Sequence, residues 1–233
     1  MAQATSELWK TLWRTRGTIR EYQFDIGGTI YGPDVEVTHS VDSGLYEKFG
    51  IGNASTAKLT ISLFAQTIPR GAVIKRYVRL RNEEQASEWL PKGVFFASRR
   101  SEEDGRWTIE AYDAMRKAEV PWEPDQSLVF PLPMTDAVRE FAGIMGVEVD
   151  PRTKLSPAYT IDYPASDPES ENGDYYSIRS ILQWIAAAHG GNWIITDVGK
   201  LLLVPLLSAP TETNYLVTEH GVPIAFGGVK ILV

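Results

Sequence analysis

Cysteine is absent from the 233 residues. A disulfide framework, a thiolate metal site and a cysteine nucleophile are all closed to this chain, and nothing marks an oxidising compartment. Histidine is scarce: His39, His189 and His220 are the only three. No two stand at the close spacing of an HExxH-type metal site. His189 falls at the end of a predicted helix, where the backbone dipole favours a cationic ring, and a structural role accounts for it. Basic residues are outnumbered, 23 Lys and Arg against 30 Asp and Glu, for a formal charge of −7. That balance argues against specific nucleic-acid binding, which draws its affinity from Lys and Arg on phosphates, and against a polybasic membrane anchor. No stretch approaches the roughly 18 apolar residues of a membrane span. Glu7 and Lys10 interrupt the apolar run that a secretory signal would need, so the expectation is a protein made and kept in a cytoplasm unless released by lysis or a machine.

Motifs of catalysis are equally thin. No G-x-S-x-G elbow occurs, and Asp42-Ser43-Gly44 reads as an ordinary turn. The carboxylate clusters Glu83-Glu84 and Glu102-Glu103-Asp104 fall in predicted turns, where solvation explains them. Gly27-Gly28, Gly50-Ile51-Gly52 and Gly190-Gly191 lack the strand-to-helix setting and following Lys-Ser/Thr of a phosphate cradle. The run Asp167 to Asp174 has oxygen ligands at alternate positions but fails the EF-hand register, with Gly173 at the seventh place and Ile178 at the twelfth. It reads as a mobile acidic loop. No enzyme, metal or cofactor is expected.

What is present is a composition of ordinary globular kind, 43% hydrophobic and 23% charged, long enough to bury a core without staples. Ser6 caps a short helix ending before Gly17, with Leu8, Trp9, Leu12 and Trp13 on one face. That helix either packs on its own domain or docks on a neighbouring subunit. From Thr18 to Tyr112 the period is two. Tyr22, Phe24 and Ile26 alternate with polar residues, as do Val35, Val37, His39 and Val41, then Ala57, Leu59, Ile61 and Leu63. Ala72–Leu80, Gly93–Ser98 and Trp107–Tyr112 are further strands. Such spacing predicts an antiparallel barrel or sandwich with one wet face.

Prolines 121, 124, 131 and 133 mark a linker or an extended edge crossing. Thr135 is placed as the cap of a helix with the stripe Val138, Phe141, Ile144 and Met145, stopped by Gly146. Ser177 caps a second, with Ile178, Ile181, Leu182 and Ile185, stopped by Gly190-Gly191. A polar excursion from Pro151 to Tyr176 separates them. A hairpin over Asn192–Thr196 and Lys200–Val204 follows, and a last strand pair is expected around His220-Gly221. The chain stops at Lys230-Ile231-Leu232-Val233, which reads as the middle of a strand, either docked in a sheet or continued in a longer relative. The expected class is α+β, mainly β. The expected divisions are an N-terminal helical arm (1–17), an antiparallel β-barrel or sandwich (18–120), a linker and helical segment (121–191) and a returning β-hairpin segment (192–233).

Several segments carry a resemblance. Phe49-Gly50-Ile51-Gly52-Asn53-Ala54 with the strand Thr56–Leu63 resembles phage tail proteins of Firmicutes-type prophages. So do Ile68-Pro69-Arg70-Gly71-Ala72, the run Ser87–Phe95, and Ala111-Tyr112-Asp113-Ala114-Met115. The segment Ser180–Trp193 followed by Gly199-Lys200-Leu201 resembles the helix-plus-hairpin of tail-hub proteins. The resemblance implies a tail-hub-like fold and a virion structural protein: a baseplate hub, usually a homotrimer, joining the tail tube to a central spike or fibre. Implied partners are further copies of itself, a distal tail or tube protein, the tape measure, and a spike or fibre, in a virion tail or tail-like particle assembled in a bacterial cytoplasm. An acidic excess suits a channel through which DNA slides without sticking. Trp9, Trp13, Trp89 and Trp122 are the candidate interface residues, because aromatic anchors and pairable strand edges are what a large permanent interface requires. The alternatives are a tail-associated module binding host-surface carbohydrate and a cell-wall hydrolase module.

Overall fold

A computed structural model describes residues 5–44, 50–65, 67–125, 127–162 and 175–206, with the backbone of 225–226 and 229–230. Helix α1 (Glu7–Arg14) opens the chain, with the Ser6 hydroxyl accepting from the Trp9 N–H at 3.1 Å. Strands β1 (Ile19–Ile26) and β2 (Thr29–Tyr31) form a hairpin around Gly27-Gly28, followed by β3 (Val37–Asp42). The two-residue strand β4 (Asn53–Ala54) comes next, then β5 (Lys58–Phe64), β6 (Val73–Arg81), β7 (Leu90–Glu103) and β8 (Arg106–Tyr112).

Seven of these make one antiparallel sheet, in the order β2-β1-β6-β7-β8-β5-β3. Alternation decides its inner face. Phe24 and Ile26 of β1, Leu59, Ile61 and Leu63 of β5, Ile74 of β6 and Ile109 of β8 are all fully covered. The sheet curls until its ends face one another, with the His39 ring of β3 4.4 Å from Tyr22 and 5.0 Å from Phe24 of β1. Side chains, not ladder hydrogen bonds, bridge that gap, so the barrel is open and β2 and β3 are its edges. β7 is longer than the expected Gly93–Ser98. Register shifts at Ala97/Arg99 and Lys75/Tyr77 let it bend and keep pairing.

A second core follows. A short 3-10 helix (Ala114–Glu119) leads to β9 (Leu132–Pro133), α2 (Met134–Met145), β10 (Thr160–Ile161), α3 (Ile178–Ala188), β11 (Gly191–Ile195) and β12 (Leu201–Pro205). The proline stretch is partly paired: Pro121 bridges Ser177, and β9 pairs with β10. The stripe of α3 is buried at Ile178, Ile181, Leu182 and Ile185, and Trp193 is buried against it. The α2 stripe differs from expectation. Ala137, Val138, Phe141, Ala142 and Met145 point inward, while Ile144 lies outside that arc and is half-exposed. The helix also begins earlier than the Thr135 cap implies, with Pro133 in the capping position, where its fixed φ suits a helix start.

The stretch Gly50–Ala54 joins the second core. β4 pairs in parallel with β11, giving the sheet β12-β11-β4. The Gly52 N–H donates to the Gly191 carbonyl at 2.9 Å, and the Arg179 Nε donates to the Ala54 carbonyl at 2.9 Å. A final pair, β13 (Ala225–Phe226) and β14 (Val229–Lys230), is antiparallel. His220-Gly221 and the acidic run 167–174 lie outside the described residues.

Candidate functional site

The inner face of the sheet is apolar except at the end covered by α1. Position 76 of β6 falls between Ile74 and Val78 in the inward phase, but it is an arginine. Phe24 is its cross-strand neighbour. Burial pulls the Arg76 guanidinium below its ordinary value, and its Nε is buried with no hydrogen-bond partner. Its Nη2 lies 3.4 Å from His39 Nε2, its Nη1 3.5 Å from the Lys92 carbonyl, and its plane 4.9 Å from the Tyr22 ring centroid. Burial, and then the Arg76 charge, lower the His39 imidazole below its usual range, so that ring is neutral at pH 7.

Helix α1 lies over β6, and a cleft of about 500 Å³ separates the two. Leu12 is completely covered there, and the Ser6 hydroxyl and N–H are both held by the Glu88 carboxylate, at 2.6 and 2.9 Å. The helix therefore packs on its own domain through Leu12, yet Trp13 remains 58% exposed. Trp9 and Trp13 both line the cleft, and the Arg20 guanidinium sits 4.7 Å over the Trp13 ring. Five cations face it: Lys10, Arg14, Arg20, Arg76 and Lys92. No carboxylate belongs to its lining among the described residues. Lys10 pairs with Glu7 at 2.6 Å and Lys92 with Asp197 at 2.8 Å, both carboxylates outside the wall. In a chain of net charge −7, this is a concentrated positive cleft with two tryptophans at its rim.

The other interface candidates sit elsewhere. Trp89 packs on the outer face, where the Arg79 guanidinium stacks 4.5 Å over its ring. Arg79 and Arg81 clamp Glu21 at 2.6 and 3.0 Å. Burial works to raise the Glu21 carboxyl and the two guanidiniums outweigh it, so the group is held below its ordinary range. A residue expected on a wet face is thus covered by its own salt bridge. Trp122 is 1% exposed, edge-on to Phe141 at 5.0 Å, with its Nε1–H donating to Glu140 at 3.1 Å. A ring with no free area cannot anchor a partner, so the expected interface role of Trp122 gives way to a core role.

His189 is structural, held at both ring nitrogens. Its Nδ1 lies 2.8 Å from the Ile185 carbonyl, and the Ser156 N–H donates to its Nε2 at 2.9 Å. In this pairing Nε2 accepts and Nδ1 carries the hydrogen that reaches the Ile185 carbonyl. Asp113 is a buried carboxyl. Its two oxygens accept from the Ala57 and Met115 N–H groups, at 2.9 and 3.0 Å, capping the 3-10 helix. Burial outweighs those bonds and pushes its carboxyl up to about 6. The opposite occurs at Asp150, where the hydrogen-bonded Arg152 fork holds the carboxyl down at about 2. Asp113 and Asp150 both serve loops and helix starts. No group of three or more potential metal ligands occurs among the described residues.

The sequence shows Trp9 and Trp13 on one helix face, while the basic wall they meet is assembled from separate segments. The legible signal was Arg76, a cation in the apolar phase of an alternating strand.

The sequence matches no protein-family model and no curated protein. The fold does match solved structures. One is the 43 kDa tail protein of prophage MuSo2 from Shewanella oneidensis, at TM-score 0.51 and 13% identity, covering 84% of this chain and 59% of that one. Another is a tail protein from Neisseria meningitidis MC58, at TM-score 0.47 and 14% identity, covering 88% of this chain and 54% of that one. The chain thus spans little more than half the length of either. Its mainly β, α+β architecture is the fold of a prophage tail protein.

Proposed function

We propose that the chain is a structural component of a phage tail or tail-like particle, acting as a hub subunit that joins the tail tube to a central spike or fibre as a homotrimer. The supporting observation is the likeness to the MuSo2 tail protein across 84% of this chain. The geometry fits work done through contact area. Edge strand β3 offers six residues with neither lysine nor proline to block pairing by another chain, and Trp13 on α1 is exposed at the rim of the cleft. In this reading the chain performs no catalytic step. The Firmicutes-type affiliation rests on the sequence motifs alone.

A carbohydrate-binding role finds less support. The exposed Trp184 meets Tyr176 edge-on, at 80° between planes, so the pair forms no flat stacking platform. The test is to tag the chain in its native prophage, induce particles and image purified tails with a label against the tag. Label at the distal end of the tube is expected. Tails that assemble without the chain, or cell-wall turnover by the purified protein, would overturn the proposal.

A further inference from the structure

We infer that the cleft under α1 receives the acidic β7–β8 turn of a second copy of this chain. The inference rests on the self-association in the reading above, not on the tail assignment.

The cleft has unmet donors. Arg14, Arg20 and Arg76 face it and make no ion pair with any carboxylate among the described residues. Arg76 is half-buried with its Nε unpartnered, Arg14 and Arg20 are exposed, and a guanidinium with no directly paired carboxylate offers a planar fork that matches a carboxylate with two parallel bonds. Trp9 and Trp13 supply the apolar rim against which the stems of glutamates can lie.

The same chain presents the complementary shape. β7 and β8 run out to a two-residue turn, Asp104-Gly105, with both residues in the left-handed region at φ 49° and 77°. That geometry makes a tight hairpin tip. Glu102, Glu103 and Asp104 are exposed on it and form no ion pair among the described residues. Glu102 uses one oxygen on the Gly105 N–H at 2.6 Å, which holds the tip closed.

Topology forbids the two from meeting within one chain. Lys92, in the cleft wall, and Glu103, at the tip, stand near opposite ends of β7. At about 3.3 Å per residue they are roughly 35 Å apart along the strand. The tip can therefore reach only a neighbour's cleft. Such a contact is heterologous, head to tail, and closes into a ring when the rotation between subunits permits. A nucleic-acid occupant is disfavoured. The net charge of −7 repels a polyanion, and a cleft of about 500 Å³ holds a few side chains rather than a backbone track.

Sedimentation velocity on the full chain tests this, with circular dichroism to verify that each variant folds. All substitutions fall on exposed side chains. Wild type is expected to self-associate, with the complex weakening as salt rises. The tip reversal Glu102→Lys/Glu103→Lys and the cleft reversal Arg14→Glu/Arg20→Glu should each weaken it by at least about tenfold. The four substitutions combined in one chain should restore association, because tip and cleft are again opposite in sign. A wild type that stays monomeric at about 100 µM, reversals without effect, or a combined variant no better than either reversal would each overturn the inference. Tails that carry the chain while the reversals leave association intact would refute this contact and spare the tail assignment. Association through this contact by a chain missing from tails would do the reverse.

Discussion

Asp113 shows how a single carboxyl couples folding to pH. Its folded value of about 6 stands above the ordinary 3.8, so between these limits the folded state binds the proton and the unfolded state does not. Stability contributed by the protonated group is complete below about pH 4 and is lost as pH rises through 6, by about 3 kcal/mol at most. Urea denaturation of wild type and Asp113→Asn at pH 4 and pH 7 should reveal it. The fall in stability between the two pH values is expected to be smaller in the variant by about 2–3 kcal/mol, since all other titrating groups are shared. Equal falls would place the Asp113 carboxyl near its ordinary value. The tryptophans make a second contrast. Trp122→Ala opens the second core and is expected to lower stability by about 3–5 kcal/mol, whereas Trp13→Ala, at an exposed site, should change it by less than about 0.5 kcal/mol. The sequence presents these two residues alike, as tryptophans near prolines or a terminus. What separates them is which long-range neighbours arrive, and residue type carries no information about that.

At the scale of elements, local pattern and close approach have different reach. The stripe of α3 and the inward phases of β1, β5 and β6 follow directly from periodicity, because a helix or strand has one geometry for presenting an apolar face. β4 does not. It is two residues long, carries no alternation, and exists because Gly52 brings the chain against α3. Gly52 has φ 85°, and a Cβ there would stand 3.0 Å from the Ala187 Cβ and 3.3 Å from the Gln183 carbonyl. Gly52→Ala is therefore expected to cost about 1–3 kcal/mol and to loosen the parallel pairing with β11, seen as faster amide exchange at Gly52 and Ala54. Exchange and stability unchanged from wild type would show that the segment relaxes freely. The long β7 teaches a related lesson. Turn-rich flanks suggest a strand of ordinary length, but pairing with β6 over 90–96 and with β8 over 96–103, through two register shifts, makes one strand of the whole.

Across the whole molecule, two apolar cores meet at a polar seam. The Lys92–Asp197 pair and the Gly93 N–H on the Asp197 carbonyl tie the barrel to the β11–β12 hairpin. Around this body, the arm formed by α1 is anchored by Leu12 and Ser6 and leaves its tryptophans at the cleft rim. Replacing Trp9 and Trp13 together with alanine is expected to impair assembly while the thermal unfolding midpoint shifts by only a few degrees. Unchanged incorporation into particles would remove these rings from the interface. Composition and periodicity were enough to establish a mainly β chain with two amphipathic helices, no thiol chemistry and a scarcity of imidazole, since each follows from residue type and spacing along the chain. The open barrel, the burial of Trp122 and Glu21, and the gathering of Lys10, Arg14, Arg20, Arg76 and Lys92 around one cleft came from folding alone. Those residues are up to 82 positions apart in sequence, and only the curl of a sheet paired strand by strand brings their charges to the same place.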